Sequence, residues 1–143
     1  MSRYLCDTSC LVAAVCAWHE HHRRTRFEIE RRIRGHEELV LAAHSLAELY
    51  AVLTRLPSPH RLRADDAISL IEANWGETFV VHLTGQETWQ ALREARQLGV
   101  IGGQMYDVII AASALKAGAS TLLTWNRQHF NKFTHKLSVL APS

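Results

Sequence analysis

Two kinds of apolar pattern alternate along the chain. Residues 3–6 and 39–42 are short runs of the sort that a strand buried on both faces requires, and residues 79–83 and 121–124 repeat the theme. Between them, apolar residues recur at helical spacing. Asp7-Thr8-Ser9 supplies capping chemistry ahead of a helix over residues 11–18. Residues 22–34 form a charged helix whose Phe27, Ile29 and Ile33 make one narrow stripe, closed by Gly35. Leu46, Leu49, Val52, Leu53 and Leu56 mark a helix over residues 45–56, which Pro57 and Pro59 end. Further helices are predicted over residues 64–75, 87–98 and 108–117, with Gly99 and Gly118 closing the last two. A turn reaches Phe130, and a last strand is predicted over residues 137–140.

Repeated strand and helix segments predict an α/β fold of three layers, with a mainly parallel central sheet flanked by helices that carry the crossovers. In such sheets a site forms beyond the carboxyl ends of the strands. Asp7 and Asn126 each follow a predicted strand, while Glu48 and Asp107 lie on or at the start of helices that can face the same edge. Periodicity leaves the strand order open.

The length, 143 residues, suits one domain spanning 1–143 rather than two. No apolar run approaches the roughly 20 residues needed to span a bilayer. The short N-terminal apolar stretch is interrupted at Asp7 and is no secretory signal, so a cytoplasmic protein is expected. Cys6, Cys10 and Cys16 are odd in number and lack C-x-x-C spacing, which predicts buried thiols. A net charge of +2 does not by itself declare a nucleic-acid binder. Its distribution is uneven, however: Arg23, Arg24, Arg26, Arg31, Arg32 and Arg34 crowd one segment, and no acid follows Asp107, whereas Lys116, Arg127, Lys132 and Lys136 do.

Asp7 and Asp107 could each simply cap a helix, a role worth about 1 kcal/mol. Glu48 is harder to explain in that way, because it is the only acid between Glu38 and Asp65 on a mostly apolar helix and needs a partner or water. Three carboxylates at one edge repel one another, and a bound cation is the usual compensation. Oxygen ligands favour Mg2+ or Mn2+, and phosphodiester hydrolysis is the natural chemistry of such a site.

Four segments carry a family resemblance: Asp7-Thr8-Ser9 after the first strand, His44-Ser45-Leu46-Ala47-Glu48-Leu49, Tyr106-Asp107-Val108-Ile109-Ile110-Ala111-Ala112, and Leu122-Leu123-Thr124-Trp125-Asn126-Arg127-Gln128-His129-Phe130. In this order they resemble the PIN-domain ribonucleases, particularly VapC-like toxins of toxin–antitoxin systems, over nearly the whole chain. The resemblance implies metal-site carboxylates at Asp7, Glu48 and Asp107, with Asn126 completing the catalytic set and Thr8, Ser9 and Thr124 supporting it. Many relatives carry aspartate where Asn126 stands, so this pocket has one negative charge fewer and a second metal binds more weakly. The resemblance also implies endoribonuclease action on structured RNA, often transfer RNA, a cognate antitoxin that blocks the pocket, and a homodimer. Arg23, Arg24, Arg26 and Arg127 are the expected RNA phosphate contacts.

Rival chemistries fail on their own motifs. His19-Glu20-His21-His22 lacks the final histidine of H-E-x-x-H because Arg23 occupies it, which leaves a solvated turn. A D-x-D phosphatase needs an acid at Ser9, and no G-x-x-x-x-G-K-[ST] loop occurs. The remaining alternative is a catalytically silent PIN-like module that binds RNA or a protein.

Overall fold

In a computed structural model, residues 2–143 are described. Strands β1 (Arg3–Cys6), β2 (Glu38–Ala42), β3 (Phe79–Val81), β4 (Thr121–Leu123) and β5 (Ser138–Leu140) pair in parallel in the order β3-β2-β1-β4-β5. Parallel neighbours require crossovers, which six α-helices supply. These are α1 (Thr8–Val15), α2 (His22–Arg34), α3 (Ala43–Arg55), α4 (Ala64–Trp75), α5 (Gly85–Gln97) and α6 (Gln104–Lys116). A 3-10 helix, Arg127–Phe133, links β4 to β5.

Side chains along the inner strands alternate between two cores, which is why these strands read as continuous apolar runs. Tyr4, Cys6, Leu41 and Leu123 pack with residues of α1, α2, α3 and α4, among them Leu11, Ile29, Leu49 and Trp75. Leu5, Val40, Ala42 and Leu122 pack on the opposite face with Ala91, Ala95, Val108, Ala111 and Phe130. The expected three layers are present. The chain proceeds outward from β1 to β3 and then returns to the other side of β1, so the topological switch point lies between β1 and β4.

Several boundaries differ from the periodicity reading. Helix α1 begins at Thr8 because the Asp7 carboxylate caps it by accepting the Cys10 backbone N–H. It ends at Val15, which leaves Trp18 outside it. Helix α6 begins at Gln104, so Asp107 sits inside its first turn and is not its cap. Gly102, with φ of 60°, redirects the chain just before that helix, whose polar start hides it from an apolar pattern. Helix α5 starts at Gly85 behind a reciprocal capping box between Thr84 and Glu87. On α2 the expected stripe is not apolar: Phe27 and Ile33 are exposed, and the buried residues are Thr25, Glu28 and Ile29. All three cysteines are buried free thiols, as expected. No helix among the described residues is long and apolar enough to cross a membrane.

Candidate active site

Asp7 immediately follows β1 at the switch point and is only 4% exposed. Its Oδ1 accepts the Ser9 hydroxyl at 2.6 Å and the Cys10 N–H at 3.1 Å, and its Oδ2 accepts the Thr124 hydroxyl at 2.5 Å. Both hydroxyls also act as acceptors from the chain that leaves β4: Ser9 Oγ from Trp125 N–H at 3.0 Å, and Thr124 Oγ1 from Asn126 N–H at 2.9 Å. One carboxylate thereby fastens the start of α1 to the exit of β4. Thr8 extends the network by donating to Glu48 Oε1 at 3.0 Å. The three supporting hydroxyls expected from the sequence all lie in this network.

Glu48 from α3 and Asp107 from α6 join Asp7 in lining one cavity of about 300 Å3, together with Thr8, Ser9, Asn126 and His129. The acids therefore reach one space from three separate elements. Burial raises the Asp7 carboxyl to about 6, above the ordinary range, even though its hydrogen bonds favour the charged form; Asp107 adds repulsion. Burial also raises Asp107; His129 partly offsets this and Glu48 reinforces it. The His129 Nδ1 stands 3.8 Å from Asp107 Oδ2.

A carboxylate offers about four lone-pair positions, and Asp7 has three of its own filled. One remains on Oδ2. Glu48 keeps Oε2 open, and Asp107 accepts no hydrogen bond within the described residues. Among those residues no group of three His, Cys, Asp or Glu side chains is close enough to hold an ion unaided. An all-oxygen set with few open positions fits Mg2+ or Mn2+, which take one or two carboxylates and complete the shell with water and phosphate oxygens. It does not fit a closed protein cage.

The remaining expected residues divide. Asn126 lines the acidic cavity and makes no side-chain hydrogen bond within the described residues. Arg23, Arg24 and Arg127 are exposed, and the Arg24 guanidinium carbon lies 5.8 Å from the Trp125 ring centre. Arg26 instead binds Asn74 at 3.1 Å and lines other cavities, away from the acids. Arg31 and Arg32 both hold Glu28. Sequence reasoning missed His129, His44 and Tyr106. His44 Nε2 is 3.3 Å from Glu48 Oε1, and its ring stacks on Tyr106 with centroids 4.8 Å apart. The spacing of His44 four residues before Glu48 on a helix was the available signal.

Carboxylates gathered over the switch point of a parallel five-stranded sheet define a three-layer α/β domain with an acidic pocket at its carboxyl edge. The chain belongs to the PIN domain family, whose profile matches residues 4–136. It is 34% identical over 116 residues to ribonuclease VapC40 of Mycobacterium tuberculosis, covering 81% of each chain. Over 80 residues, 56% of this chain and 57% of the relative, it is 37% identical to ribonuclease VapC27 of the same organism. Among solved structures, VapBC2 from Rickettsia felis, bound to a promoter DNA fragment, superposes with a TM-score of 0.68 at 20% identity, covering 96% of both chains. VapC20 of Mycobacterium tuberculosis, a sarcin–ricin loop cleaving toxin, gives a TM-score of 0.64 at 20% identity over 83% of this chain and 86% of that one. At such identity the structural likeness speaks for the fold.

Proposed function

We propose that this chain is a divalent-metal-dependent endoribonuclease, a VapC-like toxin that hydrolyses phosphodiester bonds of structured RNA, transfer RNA included, under the restraint of a cognate antitoxin. The observation that carries the reading is the convergence of Asp7, Glu48 and Asp107 on one cavity, where two of the three pay in raised proton affinity for being there. The likeness to ribonucleases VapC40 and VapC27 supports the chemistry, and that to VapBC2 supports a partner protein. The reading includes a cytoplasmic homodimer.

In this mechanism Ser9 and Thr124 hold the Asp7 carboxylate in one orientation, and Thr8 does the same for Glu48 through Oε1. One or two of the carboxylates of Asp7, Glu48 and Asp107 would hold the cation directly through their open oxygens, and the remainder would reach it through water. The chemistry that Mg2+ or Mn2+ would supply there is polarisation of the phosphoryl oxygens and orientation of the attacking water. Asn126 presents a neutral amide to the same cavity, and the exposed Arg23, Arg24 and Arg127 are cations available to RNA phosphates.

Incubating the purified protein with total RNA tests the reading: cleavage is expected in Mg2+ and is lost both in EDTA and in the Asp7→Asn variant. Cleavage indifferent to chelator and substitution alike refutes it. One observation favours a silent RNA- or protein-binding module, namely the lack of three closely grouped ligands among the described residues. Under that alternative RNA stays intact in all three conditions.

The neutral Asn126 carries its own expectation. Calorimetric titration with Mn2+ yields one tighter and one weaker event, and Asn126→Asp tightens the weaker one by restoring a charge to the cavity. Two equally tight events in the unaltered protein would count against this role.

A further inference from the structure

Beside the acidic pocket lies a second cavity of about 450 Å3 that shares Thr8, Ser9 and Asn126 with it and is lined by His19, His21 and Trp125. These rings belong to a longer row. His60 stacks on Trp18 with centroids 4.1 Å apart and planes at 21°. Trp18 neighbours His19 at 5.9 Å, and His19 neighbours His21 at 5.7 Å. His21 lies flat on Trp125 at 3.8 Å and 9°.

The inner end of the row is rigidly held. Trp125 donates its backbone N–H to Ser9 and its indole N–H to Thr25 Oγ1 at 2.9 Å, while Thr25 donates to the His21 carbonyl at 2.7 Å. His21 N–H is in turn accepted by His19 Nδ1 at 3.1 Å. Glu20, the one acid lining this cavity among the described residues, has its carboxylate 3.3 Å from His21 Nε2. Packing of the turn between α1 and α2 accounts for the His21–Trp125 pair. It does not account for the outer rings, because Trp18 remains 48% exposed. Two stacked ring pairs, joined through His19 tilted by 41° to Trp18 and 44° to His21, begin beside the acidic pocket and have Arg24 at hand, which is the chemistry of a single-stranded nucleic-acid track, in which bases stack on exposed aromatic faces and cations take the phosphates.

We propose that the row His60, Trp18, His19, His21 and Trp125 binds unpaired RNA bases on one side of the phosphate held at the acidic pocket. This rests on the ribonuclease reading for its substrate. Every base has a π-face, so the track selects unstacked, single-stranded segments over duplex and is tolerant of sequence.

The test is fluorescence anisotropy of labelled oligoadenylate of about 10 nucleotides, a length within the reach of such tracks, with EDTA present throughout. Its duplex with oligouridylate is the comparison. The expected result is tighter binding of the single strand than of the duplex, about tenfold weaker binding by Trp18→Ala, and retention of most of the affinity by Trp18→Phe. His60→Ala, which removes only the outer ring, gives a smaller loss. Equal affinity of the parent protein and Trp18→Ala, preference for duplex, or no binding by the parent overturns the proposal. Because chelator suppresses hydrolysis, the two readings separate. Stacking-dependent binding by a protein that cleaves nothing in Mg2+ upholds the track and defeats the nuclease, whereas cleavage with binding indifferent to Trp18 does the reverse.

Discussion

Replacing Asp107 by asparagine lowers RNA cleavage about a thousandfold, because a carboxylate that supports a catalytic cation contributes several kcal/mol to the transition state and each 1.4 kcal/mol is about tenfold in rate. Asp107 gives the cleanest of the three acid substitutions. It caps no helix and accepts no hydrogen bond among the described residues, and the His129 Nδ1 stands 3.8 Å from its Oδ2. Its carboxyl is raised by burial and by Glu48, so at neutral pH its charge opposes the metal-free fold. The asparagine variant therefore melts no lower than the parent in EDTA. Added Mg2+ raises the melting temperature of the parent through binding to the folded state and does so far less in the variant. Gain in one property with loss of the other is the signature of residues kept for chemistry. Cleavage by the variant within tenfold of the parent, measured on the same RNA, sinks the assignment.

A second large effect is structural. Glu28 is 2% exposed on α2, and four donors converge on it: Arg31 at 2.5 Å, Arg32 at 2.7 Å, and the Ser143 backbone N–H and hydroxyl at 3.1 and 3.0 Å. Arg32 also binds Glu37 at 2.7 Å and stands 5.3 Å from the Tyr4 ring centre, so the knot ties α2 to β1, to the approach to β2 and to Ser143. Glu28→Ala leaves Arg32 with Glu37 as its one carboxylate, removes the shared acceptor of Arg31 and Ser143, and costs about 3 kcal/mol, or ~10 °C in melting temperature for a chain of this size. Burial alone would raise the Glu28 carboxyl, but Ser143 and Arg32 outweigh it and hold it below its ordinary value of 4.5. A lowered folded value means that the stabilisation is complete above about 4.5 and drains away as pH falls through the folded pKa. The gap in urea midpoint between parent and Glu28→Gln accordingly narrows on acidification. A gap that stays constant between about pH 7 and pH 3 contradicts this account.

Strands β1, β2 and β4 are legible in the sequence because each is buried on both faces and so reads as an unbroken apolar run. Asp7, Glu48 and Asp107 are legible because a carboxylate at the end of such a strand, or on an apolar helix, stands out chemically. What sequence could not supply depends on long-range geometry. No local pattern reveals that β1 lies between β2 and β4, yet that order brings Thr124 to Asp7. His129 sits in a 3-10 turn, where no periodicity assigns a direction to a side chain. The arginines of α2 read as one crowded basic segment, but Arg31 and Arg32 are consumed by a buried glutamate that the helical pattern gives no reason to place inside. Similarly, the His19–His22 segment reads as a solvated turn until Trp125, more than a hundred residues later, is seen lying on His21.

The double duty of Asp7 bears on how such a protein decays when its activity is no longer needed. Drift away from aspartate at this position also loosens the cap of α1 and the bridge to β4, so selection that still favours a folded chain resists it. Drift at Asp107 meets no such resistance. Descendants that keep their shape but have fallen silent should therefore have lost the acid on α6 before the one at the end of β1.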